Sequence, residues 1–167
     1  METLHVEFVQ PGTHGKDPEM RMDANLLKQL QGCTVLLIED SEIVLRALHT
    51  AFDFSGCRVT PVTTAEEGLS LLRQTHFDII VSDCCLPGMD GIRFFSLAKP
   101  YTHRCAKVLM SAYGFGGLIY SAEQAGVHAL FEKPFSIQKL LNRIVLIRRM
   151  ADKLPAGIFD GPALHVN

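Results

Sequence analysis

Short, unbroken apolar runs alternate along the chain with longer stretches of helical spacing. Val35, Leu36, Leu37 and Ile38 form the first run. From Glu42 to Phe54 the apolar residues Ile43, Leu45, Ala47, Leu48 and Phe52 predict a helix, which Gly56 stops. Arg58 to Val62 is strand-like. Thr64 then caps a helix through Leu72, with Glu67 at capping-box spacing. Ile79, Ile80 and Val81 make the next buried run. A helix from about Gly91 to Ala98 ends before Pro100, and Lys107 to Met110 predicts a strand. Gly117 to Ala125 predicts a helix stopped by Gly126, His128 to Phe131 a fifth strand, and Ser136 to Met150 a last helix.

Strands alternating with helices imply a parallel sheet with helices on both faces. Continuous apolar runs suit strands buried on both sides. The expected class is therefore α/β, a doubly wound sheet of five parallel strands. The alternation fills residues 32–150, the expected domain. Residues 1–31 read as an N-terminal extension: Leu4, Val6 and Phe8 allow a short strand, and Asp23 a cap for a helix carrying Leu26, Leu27 and Leu30. Residues 151–167 hold Pro155, Gly157, Gly161 and Pro162 and read as a tail, with no output domain expected after it.

Composition adds little beyond exclusions. Of 167 residues, 47 % are apolar and 20 % charged, a globular balance. A net charge of −2 leaves no electrostatic footprint for nucleic acid or an anionic membrane. No apolar run approaches the roughly 20 residues that span a bilayer, and no secretory signal opens the chain. Five cysteines show neither a disulfide framework nor paired zinc spacing, so a reducing cytoplasm is the expected setting.

In doubly wound sheets the chemistry sits at the carboxyl ends of the strands. There the chain places Glu39 and Asp40, then Asp83, then Ser111, then Lys133. Three clustered carboxylates repel one another unless a cation sits among them. Oxygen ligands select a hard divalent ion, Mg²⁺. A metal, an ammonium and a hydroxyl together clamp a phosphoryl group, and an aspartate can act as its nucleophile. Each residue alone reads as a solvated loop side chain; the set at successive strand ends does not.

These pieces resemble the receiver domain of bacterial two-component response regulators. The resemblance covers about residues 33–150. It rests on Glu39-Asp40, on Asp83 followed by Leu86-Pro87-Gly88-Met89-Asp90-Gly91, on Ser111-Ala112, and on Lys133-Pro134-Phe135. It implies strand order 2-1-3-4-5. It implies that Asp83 accepts a phosphoryl group from a sensor histidine kinase or a histidine phosphotransfer protein. Glu39, Asp40, Asp83 and the backbone carbonyl of Cys85 then hold Mg²⁺, Ser111 bonds the phosphoryl oxygen, and Lys133 pairs with the phosphate. A cis Lys133–Pro134 bond and an output face on the fourth helix, fifth strand and fifth helix, open to homodimer formation, come with the family.

Two other function classes compete. A phosphohydrolase using Asp83 would need a second acid two residues on, where Cys85 stands, so the chain is not expected to be an enzyme beyond its own phosphoryl transfer and dephosphorylation. A degenerate receiver would be a binding module independent of phosphorylation, and some departures lean that way. Leu130 stands where the family has a switch aromatic; Phe131 is next door, and strand alternation points it to the other face. Cys85 and Tyr113 occupy positions that tune phosphate lifetime in the family. From Tyr113 to Tyr120 there is no charge, which predicts a self-association or partner face. Cys84 and Cys85 read as small hydrophobes rather than an oxidant sensor, because neighbouring carboxylates raise a thiol's pKa. Arg143, Arg148 and Arg149 read as a solvated face.

Overall fold

Five parallel strands are each followed by a helix, and their order across the sheet is β2-β1-β3-β4-β5. The strands are β1 (Thr34–Ile38), β2 (Arg58–Val62), β3 (Ile79–Asp83), β4 (Ala106–Ser111) and β5 (Ala129–Glu132). The helices are α1 (Glu42–Phe54), α2 (Ala65–Leu72), α3 (Gly91–Ala98), α4 (Leu118–Gln124) and α5 (Ile137–Lys153). They belong to a computed structural model that describes residues 28–114, 116–153 and 159. The strand proposed at residues 4–8 and the Asp23 cap lie outside the described residues, where only Lys28 to Leu30 of the expected N-terminal helix is seen.

Alternation along each strand divides the core in two. Val35, Leu37, Ile79, Val81, Val108, Met110 and Phe131 face the layer built by α1 and α5. Leu36, Ile38, Ile80, Leu109 and Leu130 face α2, α3 and α4. Leu130 and Phe131 thus point to opposite faces, as alternation requires. The central strands β3 and β4 are buried along their whole length. On α1 the buried stripe is Val44, Leu48 and Phe52, spaced by four; Ile43, expected inside, is exposed.

Local chemistry sets the helix ends. Thr64 Oγ1 accepts the Glu67 backbone N–H at 3.3 Å, and Asp90 Oδ1 accepts the Arg93 backbone N–H at 2.8 Å. Gly117, at φ 97, precedes α4, so this helix begins one residue later than its glycine suggested. At its far end α5 runs to Lys153, three residues beyond the predicted stop. Phe159 lies buried in the α1–α5 core. Its ring is 4.4 Å from that of His128, whose Nε2 is 2.9 Å from the Phe159 carbonyl oxygen. His128 Nδ1 accepts the Lys107 backbone N–H at 3.1 Å, so Nε2 carries the proton.

Nor is the basic face of α5 simply solvated. Arg148 pairs with Asp78 at 3.2 Å, and Arg149 Nε donates to Gln29 Oε1 at 2.6 Å. Asp78 Oδ2 also accepts from the Thr34 backbone N–H at 2.8 Å and from its hydroxyl at 2.9 Å. Burial raises the Asp78 pKa, but these bonds and Arg148 outweigh it and hold the group below its ordinary value. A depressed carboxylate stabilises the fold above its unfolded pKa of about 3.9 and loses that contribution as pH falls through the lower folded value. The urea midpoint of Asp78→Asn should therefore lie below that of the parent protein at neutral pH. The gap should close progressively below about pH 4; a gap that stays constant to pH 2 would exclude this account.

Candidate functional site

At the carboxyl edge of the sheet, the ends of β1, β3, β4 and β5 bring together the side chains expected there. Glu39 follows β1 and is held by backbone on both sides of its role. Its N–H donates to the Val62 carbonyl at 3.1 Å, and its Oε1 accepts the Ser41 N–H at 3.2 Å. Its Oε2 accepts from Lys133 Nζ at 2.8 Å. Asp83 closes β3; its Oδ2 lies 3.2 Å from the same Lys133 Nζ, and its Oδ1 lies 3.5 Å from the Cys85 backbone N. Lys133 therefore bridges the ends of β1 and β3 from the loop after β5. One carboxylate oxygen each from Glu39, Asp40 and Asp83 lies within 4.8 Å of the others.

Burial differs across the cluster, and the difference sorts the roles. The Glu39 side chain is 1 % exposed and that of Asp83 9 %, whereas Asp40 is exposed. Burial pushes the Glu39 pKa up, and the Lys133 ammonium only partly offsets it. Burial would lower the Lys133 pKa, but the Glu39 and Asp83 carboxylates outweigh it and hold the ammonium above its ordinary value. Three carboxylates against one ammonium leave a net charge of −2 when all are ionised, which one divalent cation balances. Carboxylate oxygens in a set of this kind suit a hard ion such as Mg²⁺.

Ser111, fully buried at the end of β4, accepts the Tyr113 backbone N–H on its Oγ at 3.1 Å, and its carbonyl accepts the Lys133 N–H at 2.8 Å. Ser111 and Lys133 are thus tied through the backbone. The Lys133–Pro134 peptide is cis, as the resemblance implied. Cys85 is exposed beside Asp83, and Tyr113 is exposed above Ser111. Leu130 is buried between the sheet and the α2–α4 layer, while Phe131 packs edge-on against Phe135 on the opposite face.

Two contacts were not legible as chemistry. Glu66, in the first turn of α2, accepts the Met89 N–H at 2.9 Å and so anchors the loop that follows Asp83. Acidic residues are ordinary in a first turn, so the sequence offered no signal for this tether. Gly91 donates its N–H to the Cys84 carbonyl at 3.0 Å; a Cβ there would meet the Asp83 carbonyl oxygen at 2.3 Å. The glycine lets α3 start directly against the end of β3.

Cys84 is buried and its thiol is pushed up to about 12, first by burial, then by Cys85, Asp83 and Asp90. Cys84 is a packed hydrophobe, as expected, whereas Cys85, expected to be one too, is exposed at the start of the loop. Among the described residues, no helix is long and apolar enough to cross a membrane.

Comparison with known proteins is consistent with this geometry. The family model of the response regulator receiver domain matches residues 35–145. The chain is 31 % identical over 128 residues to the response regulator protein FleR of Pseudomonas aeruginosa, a match covering 77 % of this chain and 27 % of FleR. It is 29 % identical over 111 residues to the probable chemotaxis protein CheY of Rhizobium etli, covering 64 % of this chain and 84 % of that protein. The chain thus spans about a quarter of the first relative and most of the second. A CheY-like receiver domain structure from Methanospirillum hungatei superposes with a TM-score of 0.70 at 24 % identity, covering 74 % of this chain and 98 % of that one.

Proposed function

Because the chain belongs to the response regulator receiver domain family of two-component systems, we propose that Asp83 accepts a phosphoryl group from a sensor histidine kinase or histidine phosphotransfer protein in a Mg²⁺-dependent step. The observation that carries this reading is the single ammonium of Lys133 held against both Glu39 and Asp83. That arrangement leaves a nucleophilic carboxylate beside a fixed positive charge, which phosphoryl transfer requires. Asp83 attacks phosphorus in line with the leaving nitrogen. Lys133 lies ready to follow the negative charge that builds on the transferred oxygens, and the Ser111 hydroxyl turns its proton toward one of them. Glu39, Asp40, Asp83 and the Cys85 carbonyl are the groups that would hold Mg²⁺, which when bound neutralises phosphoryl oxygens. The chemistry ends with the chain's own phosphorylation and dephosphorylation. Five free cysteines support a cytoplasmic setting.

Output is by protein–protein contact, and a homodimer through α4, β5 and α5 is part of the proposal. Its support is the exposure of Ile119 and Tyr120 on a helix without charge before Glu123. Leu130 argues that the signal leaves this face without an aromatic side chain turning inward, since the position is already filled and buried.

Intact mass after incubation with Mg²⁺ and a small phosphoryl donor tests the reading. One phosphoryl adduct is expected, absent from Asp83→Asn and absent without metal. Light scattering on the same samples should show a mass increase on phosphorylation. An adduct that persists in Asp83→Asn would dismiss the acceptor assignment; an unchanged monomer mass would dismiss the dimer.

A further inference from the structure

The loop between Asp83 and α3 carries the Cys85 carbonyl, the backbone group among those proposed above to hold Mg²⁺. Backbone bonds pin the base of this loop. The Cys84 N–H donates to the Met110 carbonyl at 2.7 Å, and the Cys84 carbonyl accepts the Gly91 N–H at 3.0 Å. Leu86 is buried against the α2–α4 layer, and Pro87 after it has no N–H to donate. The far turn of the loop is held from another element. Gly88 turns the chain at φ 79, and the Met89 N–H that follows donates to Glu66 Oε1 at 2.9 Å. The carboxylate lies flush against this turn: a Cβ on Gly88 would meet the same Oε1 at 2.9 Å. Glu66 shares the first turn of α2 with Glu67, and both are exposed. The helix N-terminus favours their two charges alike, but the bond to the loop belongs to Glu66.

We propose that Glu66 is a positioning residue for the metal. It is not one of the clustered carboxylates. Its bond to Met89 holds the loop in the shape that keeps the Cys85 carbonyl beside Glu39, Asp40 and Asp83. A loop already held costs the ion nothing to order, whereas a slack one takes that cost out of the affinity. Groups that orient a metal ligand directly are worth about ten- to a hundredfold in affinity. Glu66 acts through several residues of loop, and water competes for the exposed Met89 N–H, so about fivefold is expected here. The role rests on the Mg²⁺ step proposed above.

Calorimetric titration of the metal-free full chain with Mg²⁺ is the test. Glu66→Ala should bind Mg²⁺ about fivefold more weakly than the parent protein. Glu66→Gln keeps an acceptor oxygen for the Met89 N–H and should return most of the affinity. Glu67→Ala removes the same charge from the same helical turn and should bind as the parent does. Phosphoryl uptake by Glu66→Ala should be slow at low Mg²⁺ and reach the parental rate at saturating Mg²⁺. Parental affinity in Glu66→Ala would overturn the role of Glu66 and leave the Mg²⁺ step standing. A loss in Glu66→Gln or in Glu67→Ala as large as in Glu66→Ala would show that negative charge near the pocket, rather than the tether, draws the ion, and would overturn the role as well. A parent protein that binds no Mg²⁺ would overturn the metal step itself, and the role of Glu66 with it.

Discussion

Lys133→Ala is expected to slow phosphoryl uptake at Asp83 by about a hundredfold to a thousandfold, the usual cost of removing one preorganised charge-stabilising donor. The lysine side chain is 8 % exposed and contacts two carboxylates at 2.8 and 3.2 Å, so water cannot readily replace it. Its loss has a second consequence. Glu39 is buried with Lys133 as its cation, and stripping a buried charge of its partner costs about 3–5 kcal/mol. The urea midpoint of Lys133→Ala should therefore fall in metal-free buffer. Mg²⁺ should restore part of the loss, because it returns positive charge to the same cluster and binds only the folded form. Rates by intact mass and unfolding with and without Mg²⁺ check the two halves separately. A rate within threefold of the parent, or a midpoint unmoved by either change, would show that Lys133 is a bystander.

The second large effect is expected from a methyl group. In Gly91→Ala the added Cβ meets the Asp83 carbonyl oxygen at 2.3 Å and the Leu109 Cδ1 at 2.7 Å. A backbone oxygen in a fully buried central strand cannot swing aside, so either the start of α3 or the end of β3 must move. Overpacking of this kind costs about 3 kcal/mol. The displaced residue is the proposed phosphoacceptor, so phosphoryl uptake should fall with stability. Gly68→Ala is the matched control. There the added Cβ meets the Ile38 Cδ1 at 2.7 Å and the Phe94 ring at 3.3 Å, side-chain rather than backbone atoms, and the helix gains about 1 kcal/mol from alanine. The net change at Gly68 should be about 1 kcal/mol or less. Equal urea midpoints for the two variants would reject the steric argument.

The contrast between these glycines shows where sequence reading stops. Both look like permissive residues at helical positions; only the distance to a backbone atom of another element separates them. Strand positions and their terminal acids were legible because burial on both faces demands unbroken apolar runs and because the fold puts chemistry at one edge. Glu39, Asp83, Ser111 and Lys133 could be assembled on that basis, and the structure brings their strand ends together. The opposite orientations of Leu130 and Phe131 followed from a period of two. What pattern does not carry is the identity of a distant partner. Arg148 looked solvated because Asp78 is seventy residues away. Ile43 looked buried because helical spacing fixes a stripe only to within one residue. Phe159 looked like tail because an isolated aromatic has no period at all.

Phe159 also bears on modularity. The family match stops at residue 145, yet the packed unit continues to an aromatic fourteen positions later, clasped by His128. A reporter or partner domain grafted at residue 150 would replace the last turn of α5 and uncover the ring's seat between the sheet and the helix. The cut suggested by homology and the cut suggested by packing differ, and anyone wiring this receiver into a sensor should join the linker beyond the clasp.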